Sequence, residues 1–274
     1  MEVLHFPESQ RPPWLVQPVL ALGNFDGLHR GHLKVIERVK RGAAELGGIA
    51  MVMTFDPHPP RVVRPDKAPL LMMTHEQRLE GLDRAGIHCV AVVRFTLDLS
   101  RWDPETFVRT VLVDWLRVAE VWVGGNFLFG HERSGNFTLL RTLGQRYGFR
   151  AGKIDPVRYK EFVVSSTRIR RLVSEGRMDK AAALLGHPYC LLGSIVEGRR
   201  DASQQDRTHD QRRHWIARQA DDDGAAQTAK PHGSSRLYGS LDTVPVHTQR
   251  FERGGHEVPI TCADAPGRDE HVHV

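Results

Sequence analysis

Two histidines, His29 and His32, close the stretch Gly23-Asn24-Phe25-Asp26-Gly27-Leu28-His29-Arg30-Gly31-His32. Imidazoles are compact donors that can stabilise charge developing on a phosphoryl group. Gly31 between them lets the backbone come close to a ligand without a Cβ in the way. An apolar run over residues 18–22 precedes the stretch, and a segment of helical period over 33–46 follows it. A strand therefore ends, the chain turns through glycines, and a helix begins. A helix start carries unpaired N–H groups and the positive end of the macrodipole, so it is a ready anion site. The chemistry implied is charge stabilisation on a phosphate, with imidazoles in place of a P-loop lysine. His-x-Gly-His alone is a weak signal in a chain with 15 histidines. It gains weight only if further nucleotide signals fall at the ends of later strands.

The elements that must position these residues alternate along the chain. Gly47-Gly48 closes the first helix, and residues 49–55 read as a buried strand stopped by Asp56-Pro57-His58-Pro59-Pro60. Thr74 and Gln77 form a capping box for a helix to about Ala85, with Gly86 at its end. Residues 89–95 are a third strand, and Asp103-Pro104 opens a helix through Leu116. A fourth strand over 119–123 runs into Gly124-Gly125-Asn126-Phe127-Leu128-Phe129-Gly130. A helix over 136–147 closed by Gly148, a strand over 149–154, a helix opened by Ser165-Ser166-Thr167 and a last helix over 178–185 follow. This alternation predicts an α/β fold with a doubly wound parallel sheet and right-handed crossovers. Ligands bind such sheets beyond the carboxyl ends of the strands. His29/His32, Asp56 to His58, 124–130 and Ser166/Thr167 all fall at strand ends or helix starts, as four loops of one site should.

Composition narrows the classes. A chain of 274 residues, 40% hydrophobic and 26% charged, can bury a sizeable core. Cys89, Cys190 and Cys262 are odd in number and far apart. They suggest neither a disulfide framework nor a zinc site, and fit a reducing cytoplasm. No leader pattern and no run of membrane-spanning length is present. Residues 1–198 hold 27 Lys+Arg against 21 Asp+Glu, whereas 199–274 hold 11 against 12. The basic excess thus lies with the anion site. No basic stripe interleaved with aromatics points to nucleic acid, so a small phosphorylated substrate is the simpler partner. Oligomeric state is not legible.

Four pieces taken in order, G-N-F-D-G-L-H-R-G-H, T-F-D-P-H-P, G-G-N-F-L-F-G and S-S-T-R-I-R, resemble the FAD synthetase module of the bacterial bifunctional riboflavin kinase/FAD synthetase family. The first and last pieces are shared across nucleotidylyltransferases; the middle two point to the flavin branch. The resemblance runs from about Val19 to Gly198. It implies a Rossmann-like nucleotidylyltransferase domain over residues 1–187. It also implies AMP transfer from ATP to FMN with Mg²⁺ accompanying the ATP, and no metal held by the protein itself. In that reading His29, His32 and Arg170 are catalytic. Gly23, Asn24, Phe25, Gly31, Ser166 and Thr167 hold ATP, while Phe55, Asp56, His58, Asn126, Phe127 and Phe129 receive the flavin. Many members carry Asp where this chain has Asn126, a change that removes a charge and keeps an acceptor. Each feature has a plainer alternative: turn chemistry for Asp26 and Asn24, strand termination for Pro57 and Pro59, core packing for Phe127 and Phe129, a simple cap for Ser166 and Thr167. A sister nucleotidylyltransferase with another phosphate acceptor and a non-catalytic flavin- or nucleotide-binding remnant are the rival functions.

Residues 188–200 look like the start of that family's kinase barrel, but no P-T-A-N motif follows. Residues 201–274 hold 10 Leu, Ile, Val or Phe in 74 positions and show no clear period over 201–211 or 221–232. The expectation is a largely disordered polar tail, a foreign or frame-shifted replacement for the kinase domain, without riboflavin kinase activity.

Overall fold

The computed structural model describes residues 1–193, 235–238, 246–253 and 256–263. It divides into two compact units, one ending at Ser165 and the other beginning at Ser166.

In the first unit the elements run β1 (Glu2–Phe6), β2 (Val19–Leu22), α1 (Arg30–Leu46), β3 (Ala50–Asp56), α2 (Pro59–Val63), α3 (His75–Arg84) and β4 (Cys89–Arg94). After these come α4 (Leu97–Ser100), α5 (Pro104–Phe107), a π-helical stretch (Val108–Trp115), β5 (Glu120–Gly124), β6 (Leu128–Phe129) and β7 (Gly135–Asn136). The unit closes with α6 (Phe137–Tyr147), β8 (Arg150–Ile154), β9 (Arg158–Tyr159) and β10 (Phe162–Val163). Six strands form one parallel sheet in the order β1-β4-β3-β2-β5-β8. The chain steps outward from β2 through β3 to β4, then returns to lay β5 on the other side of β2. The order reverses there, which makes the β2/β5 boundary the topological switch point where such sheets bind ligands.

The central strands β2, β3 and β4 are apolar at nearly every position because both faces are covered. Val19 and Ala21 point toward Val35, Ile36 and Val39 of α1, and Leu20 and Leu22 join Val111, Leu112 and Leu140 in the core on the opposite face. The capping box of Thr74 and Gln77 is formed, and Gly47 and Gly148 end their helices with φ of 59° and 82°.

Among the differences from the sequence reading, two concern the sheet and its covering helices. Strand β1, which pairs Glu2–Phe6 with Cys89–Val93, was not anticipated. It is a five-residue edge strand whose identity comes from its partner, not its own pattern. The helix expected over 103–116 is helical throughout, but after α5, capped by Asp103, it continues without a break as a π-helical stretch.

The second unit carries α7 (Ser166–Ser174), α8 (Met178–Leu185) and β11 (Cys190–Gly193), with β11 antiparallel to β12 (Ser235–Tyr238). Strands β13 (Val246–Arg253) and β14 (His256–Ala263) form a hairpin. Most of residues 201–274, for which a largely disordered tail was expected, including 201–211 and 221–232, lies outside the described residues. Within 201–274 the described residues are those of β12, β13 and β14. Among the described residues no helix is long and apolar enough to cross a membrane.

Candidate active site

The loop from β2 into α1 is built from the inside out. Phe25, Asp26, Gly27, Leu28 and His29 are all buried. The Phe25 ring, at 2% exposure, and Leu28 sit in the core beneath α1. Both have positive φ, 51° and 40°, a region that costs a non-glycine residue of order 1–3 kcal/mol and persists only where the surroundings over-determine it. The Asp26 carboxylate accepts the Met72 N–H at 2.9 and 3.2 Å from its two oxygens. Asp26 is therefore a strut of the loop.

His29 is the N-cap of α1, and its Nδ1 accepts the His32 N–H at 3.2 Å. That bond requires an unprotonated Nδ1, so the proton of the neutral ring sits on Nε2, at the far side, as a donor. The two imidazoles stack at 3.6 Å with 12° between their planes. A Cβ on Gly31 would stand 3.1 Å from the His29 ring, so the bare backbone is what lets the ring take its capping position. The first turn of α1 carries no acidic side chain, which leaves its dipole uncompensated for an anion.

The other residues expected at ATP in this unit are tied into the fold by their backbone. The Gly23 N–H is already donated to Met53 O at 3.2 Å. The Asn24 carbonyl accepts the Thr54 hydroxyl at 3.0 Å and Arg78 Nη1 at 3.2 Å. The Phe25 ring is packed in the core, 5.1 Å from the centroid of the His32 ring. Arg30 lays its guanidinium 4.7 Å from the centroid of Tyr159 on β9.

The β3 exit places Asp56 exposed and His58 buried at 5%. Phe55 packs edge-on to Phe95 with centroids 5.8 Å apart and lies 6.3 Å from Phe107. Of the residues expected at the flavin there, Asp56 is exposed, Phe55 half-buried and His58 buried. Asn126 is exposed in the loop after β5, Phe127 is half-buried, and Phe127 stacks on Phe129 at 5.2 Å. Phe129 also lies 6.2 Å from Phe107, so it is packed more than presented. Strands β2, β3 and β5 are parallel neighbours, so His29/His32, Asp56/His58 and Asn126/Phe127 leave the same end of one sheet. In the second unit, Ser166 and Thr167 are the first two residues of α7, and Arg170 follows one turn later, half-buried.

Sequence reasoning passed over Arg78 and the carbonyl it holds. A cation four residues before the fully buried Leu82, on the apolar face of α3, was the available signal. No group of three or more metal-ligating side chains occurs among the described residues.

The family model described as FAD synthetase matches residues 14–168. The bifunctional riboflavin kinase/FMN adenylyltransferase of Escherichia coli (strain K12) is 34% identical over 180 residues, 66% of this chain and 58% of that protein. Its counterpart in Pseudomonas fluorescens is 35% identical over 190 residues, 68% of this chain and 60% of that one. The Listeria monocytogenes protein is 34% identical over 196 residues, 71% and 62%. The matched region thus spans about three fifths of each relative. A crystal structure described as a macrolide-efflux protein from Streptococcus pneumoniae superposes with a TM-score of 0.64 over 97% of this chain and 80% of its own, at 18% identity, a likeness of fold alone. With the parallel sheet, the switch-point loop and the match over residues 14–168 in agreement, the chain belongs to the FAD synthetase family of nucleotidyltransferases.

Proposed function

We propose that this chain transfers AMP from ATP to FMN, giving FAD and pyrophosphate. An oxygen of the FMN phosphate forms the new bond to the α-phosphorus of ATP as the bond to the bridging oxygen of the β-phosphate breaks, and pyrophosphate leaves. The FMN phosphate is already a nucleophile, so neither a covalent intermediate nor a strong general base is needed. Catalysis is then in-line positioning with stabilisation of developing charge.

The observation that carries this reading is the stacked His29/His32 pair at the uncompensated start of α1, on the strand beside the one that delivers Asn126. His29 offers Nε2–H, and His32 lies against it. Ser166, Thr167 and Arg170 are assigned to the leaving pyrophosphate from their motif, with Arg170 supplying a guanidinium fork. Asn126 and Phe127 are assigned to the flavin, and Asp56 to the meeting point of flavin and nucleotide. Mg²⁺ fits as a passenger on the ATP phosphates, where it would neutralise charge. Asp26 already holds the Met72 N–H with both oxygens, and Asp56 is a single exposed carboxylate.

The test is to incubate the purified chain with ATP, Mg²⁺ and FMN, and in parallel with riboflavin, and to resolve the flavins by chromatography. FAD from FMN and no product from riboflavin is the expected result. FMN formed from riboflavin would overturn the expected lack of kinase activity. Binding of FMN and ATP without turnover would replace the enzyme reading with a non-catalytic one.

A further inference from the structure

The Arg78 guanidinium is buried, at 5% exposure, in the middle of α3. Burial pulls its pKa down, and Asp56 and Asp26 oppose that pull. A cation kept inside a protein is expensive unless its hydrogen bonds are satisfied. Arg78 makes two: Nη1 to the Asn24 carbonyl at 3.2 Å and Nη2 to His75 Nδ1 at 3.1 Å. Its Nε has no partner among the described residues. An arrangement this incomplete is poor for stability, which directs attention to the carbonyl it holds.

That carbonyl is gripped twice, since the fully buried Thr54 on β3 donates its hydroxyl to it at 3.0 Å. A trans peptide puts its C=O and the following N–H on opposite sides. With the Asn24 carbonyl drawn toward Thr54 and Arg78, the Phe25 N–H is turned the other way, and no acceptor for it occurs among the described residues. The strain of the Phe25 backbone lies in the same peptide unit. Helix α3 is fitted closely against the loop as well, because a Cβ on Gly81 would stand 2.3 Å from Leu28 Cδ1.

We propose that Arg78, together with Thr54, is a positioning residue for adenylyl transfer: the pair clamps the Asn24 carbonyl and so presents the Phe25 N–H as a fixed donor to the phosphates. The inference rests on the proposed reaction and adds a donor with its support to it. Neither side chain touches substrate.

Three substitutions test it. Arg78→Met should lower kcat for FAD formation about 10- to 100-fold while moving KM for ATP less than about threefold, because a misplaced donor is lost in the transition state more than in binding. Arg78→Lys, which restores a charge and a donor, should recover about tenfold of that loss. Thr54→Val is nearly isosteric and removes the second bond to the same carbonyl. It should lower kcat by a smaller factor, non-additively with Arg78→Lys, and it carries the test if Arg78→Met does not melt cooperatively. A readout independent of turnover is the Phe25 amide resonance in a ¹⁵N-labelled chain titrated with inorganic tripolyphosphate. It should shift in the parent and stay in place in the folded variant that lacks the clamp. An unchanged kcat in a folded variant, or an equal Phe25 response in parent and variant, would overturn the clamp. If the parent makes no FAD yet its Phe25 amide alone responds, the clamp stands and the FMN adenylyltransferase reading falls.

Discussion

The loop from Gly23 to His32 and the loop from Gly124 to Gly135 leave adjacent strands of one sheet and are built in opposite ways. In the first, residues 25 to 29 are buried in succession, two of them at positive φ, and the loop is held both by distant residues and by its own helix cap. Met72 donates to Asp26, Thr54 and Arg78 hold Asn24, and His29 caps its own helix. In the second, residues 124, 126, 128 and 131 to 134 are exposed; Phe127 stacks on Phe129, β6 pairs with β7 over two residues, and the His131 N–H donates to the Trp102 carbonyl at 2.8 Å. Donors that act on developing charge must be in place before the reaction, because reorganising them would cost the energy they supply. A loop that admits a large flat ring system has to remain accessible. The contrast between a braced loop and an open one is what a chain that holds ATP phosphates rigidly and accepts a flavin beside them should show.

The comparison is tested most severely at His29, which both caps α1 and offers Nε2–H. Replacing it with Asn keeps an acceptor for the His32 N–H and removes the imidazole donor. His29→Asn should therefore leave the melting temperature nearly unchanged and lower kcat about 10²–10³-fold, the usual effect of losing one such donor. A normal kcat would mean that the braced loop is scaffolding only. Gly31→Ala is the next step down. Its Cβ would press on the His29 ring from 3.1 Å, so the ring must shift by a few tenths of an ångström. We expect kcat to fall about tenfold from misplacement of the donor, with ATP affinity little changed.

Much of the braced loop was legible in the sequence and its bracing was not. The strand–turn–helix around His29 and His32, the capping box at Thr74 and the glycine helix ends are local events, each encoded within a few residues. Arg78 and Thr54 act on Asn24 across 54 and 30 residues, and no local pattern records such a contact. For the same reason the motif does not tell that the Phe25 ring is packed in the core. The burial of His58 between its two prolines is likewise a product of the tertiary turn, which the sequence does not record. The edge strand β1 shows the same limit in the fold, since its partner β4 lies more than 80 residues away.

The open loop predicts effects on binding, smaller than those on turnover. Asn126→Ala removes one exposed hydrogen-bonding side chain, worth about 0.5–1.5 kcal/mol. KM for FMN should rise about 3- to 10-fold, with KM for ATP and the melting temperature unmoved. Phe127→Ala should act in the same direction. Phe129→Ala should instead lower stability, by at least about 1 kcal/mol, because Phe129 packs against Phe107 and Phe127. If Asn126→Ala weakened ATP and left FMN alone, the division of labour between the two loops would be reversed.

The smallest effect is expected at Thr74, which separates support of a helix from support of the site. Its hydroxyl accepts the Gln77 N–H at 3.2 Å, and the Gln77 side chain accepts the Thr74 N–H at 2.8 Å. Removing such a cap destabilises by about 1 kcal/mol, so Thr74→Ala should lower the melting temperature by about 2–4 °C. Helix α3 carries Arg78 one turn further on, where Leu82 and the contact of Gly81 with Leu28 anchor it independently of the cap. The hold on Asn24 should therefore survive fraying of the first turn, and kcat should change less than about twofold. A tenfold loss of kcat with the same modest fall in melting temperature would locate the bracing of the phosphate loop at the start of α3, not at the Thr54 and Arg78 clamp.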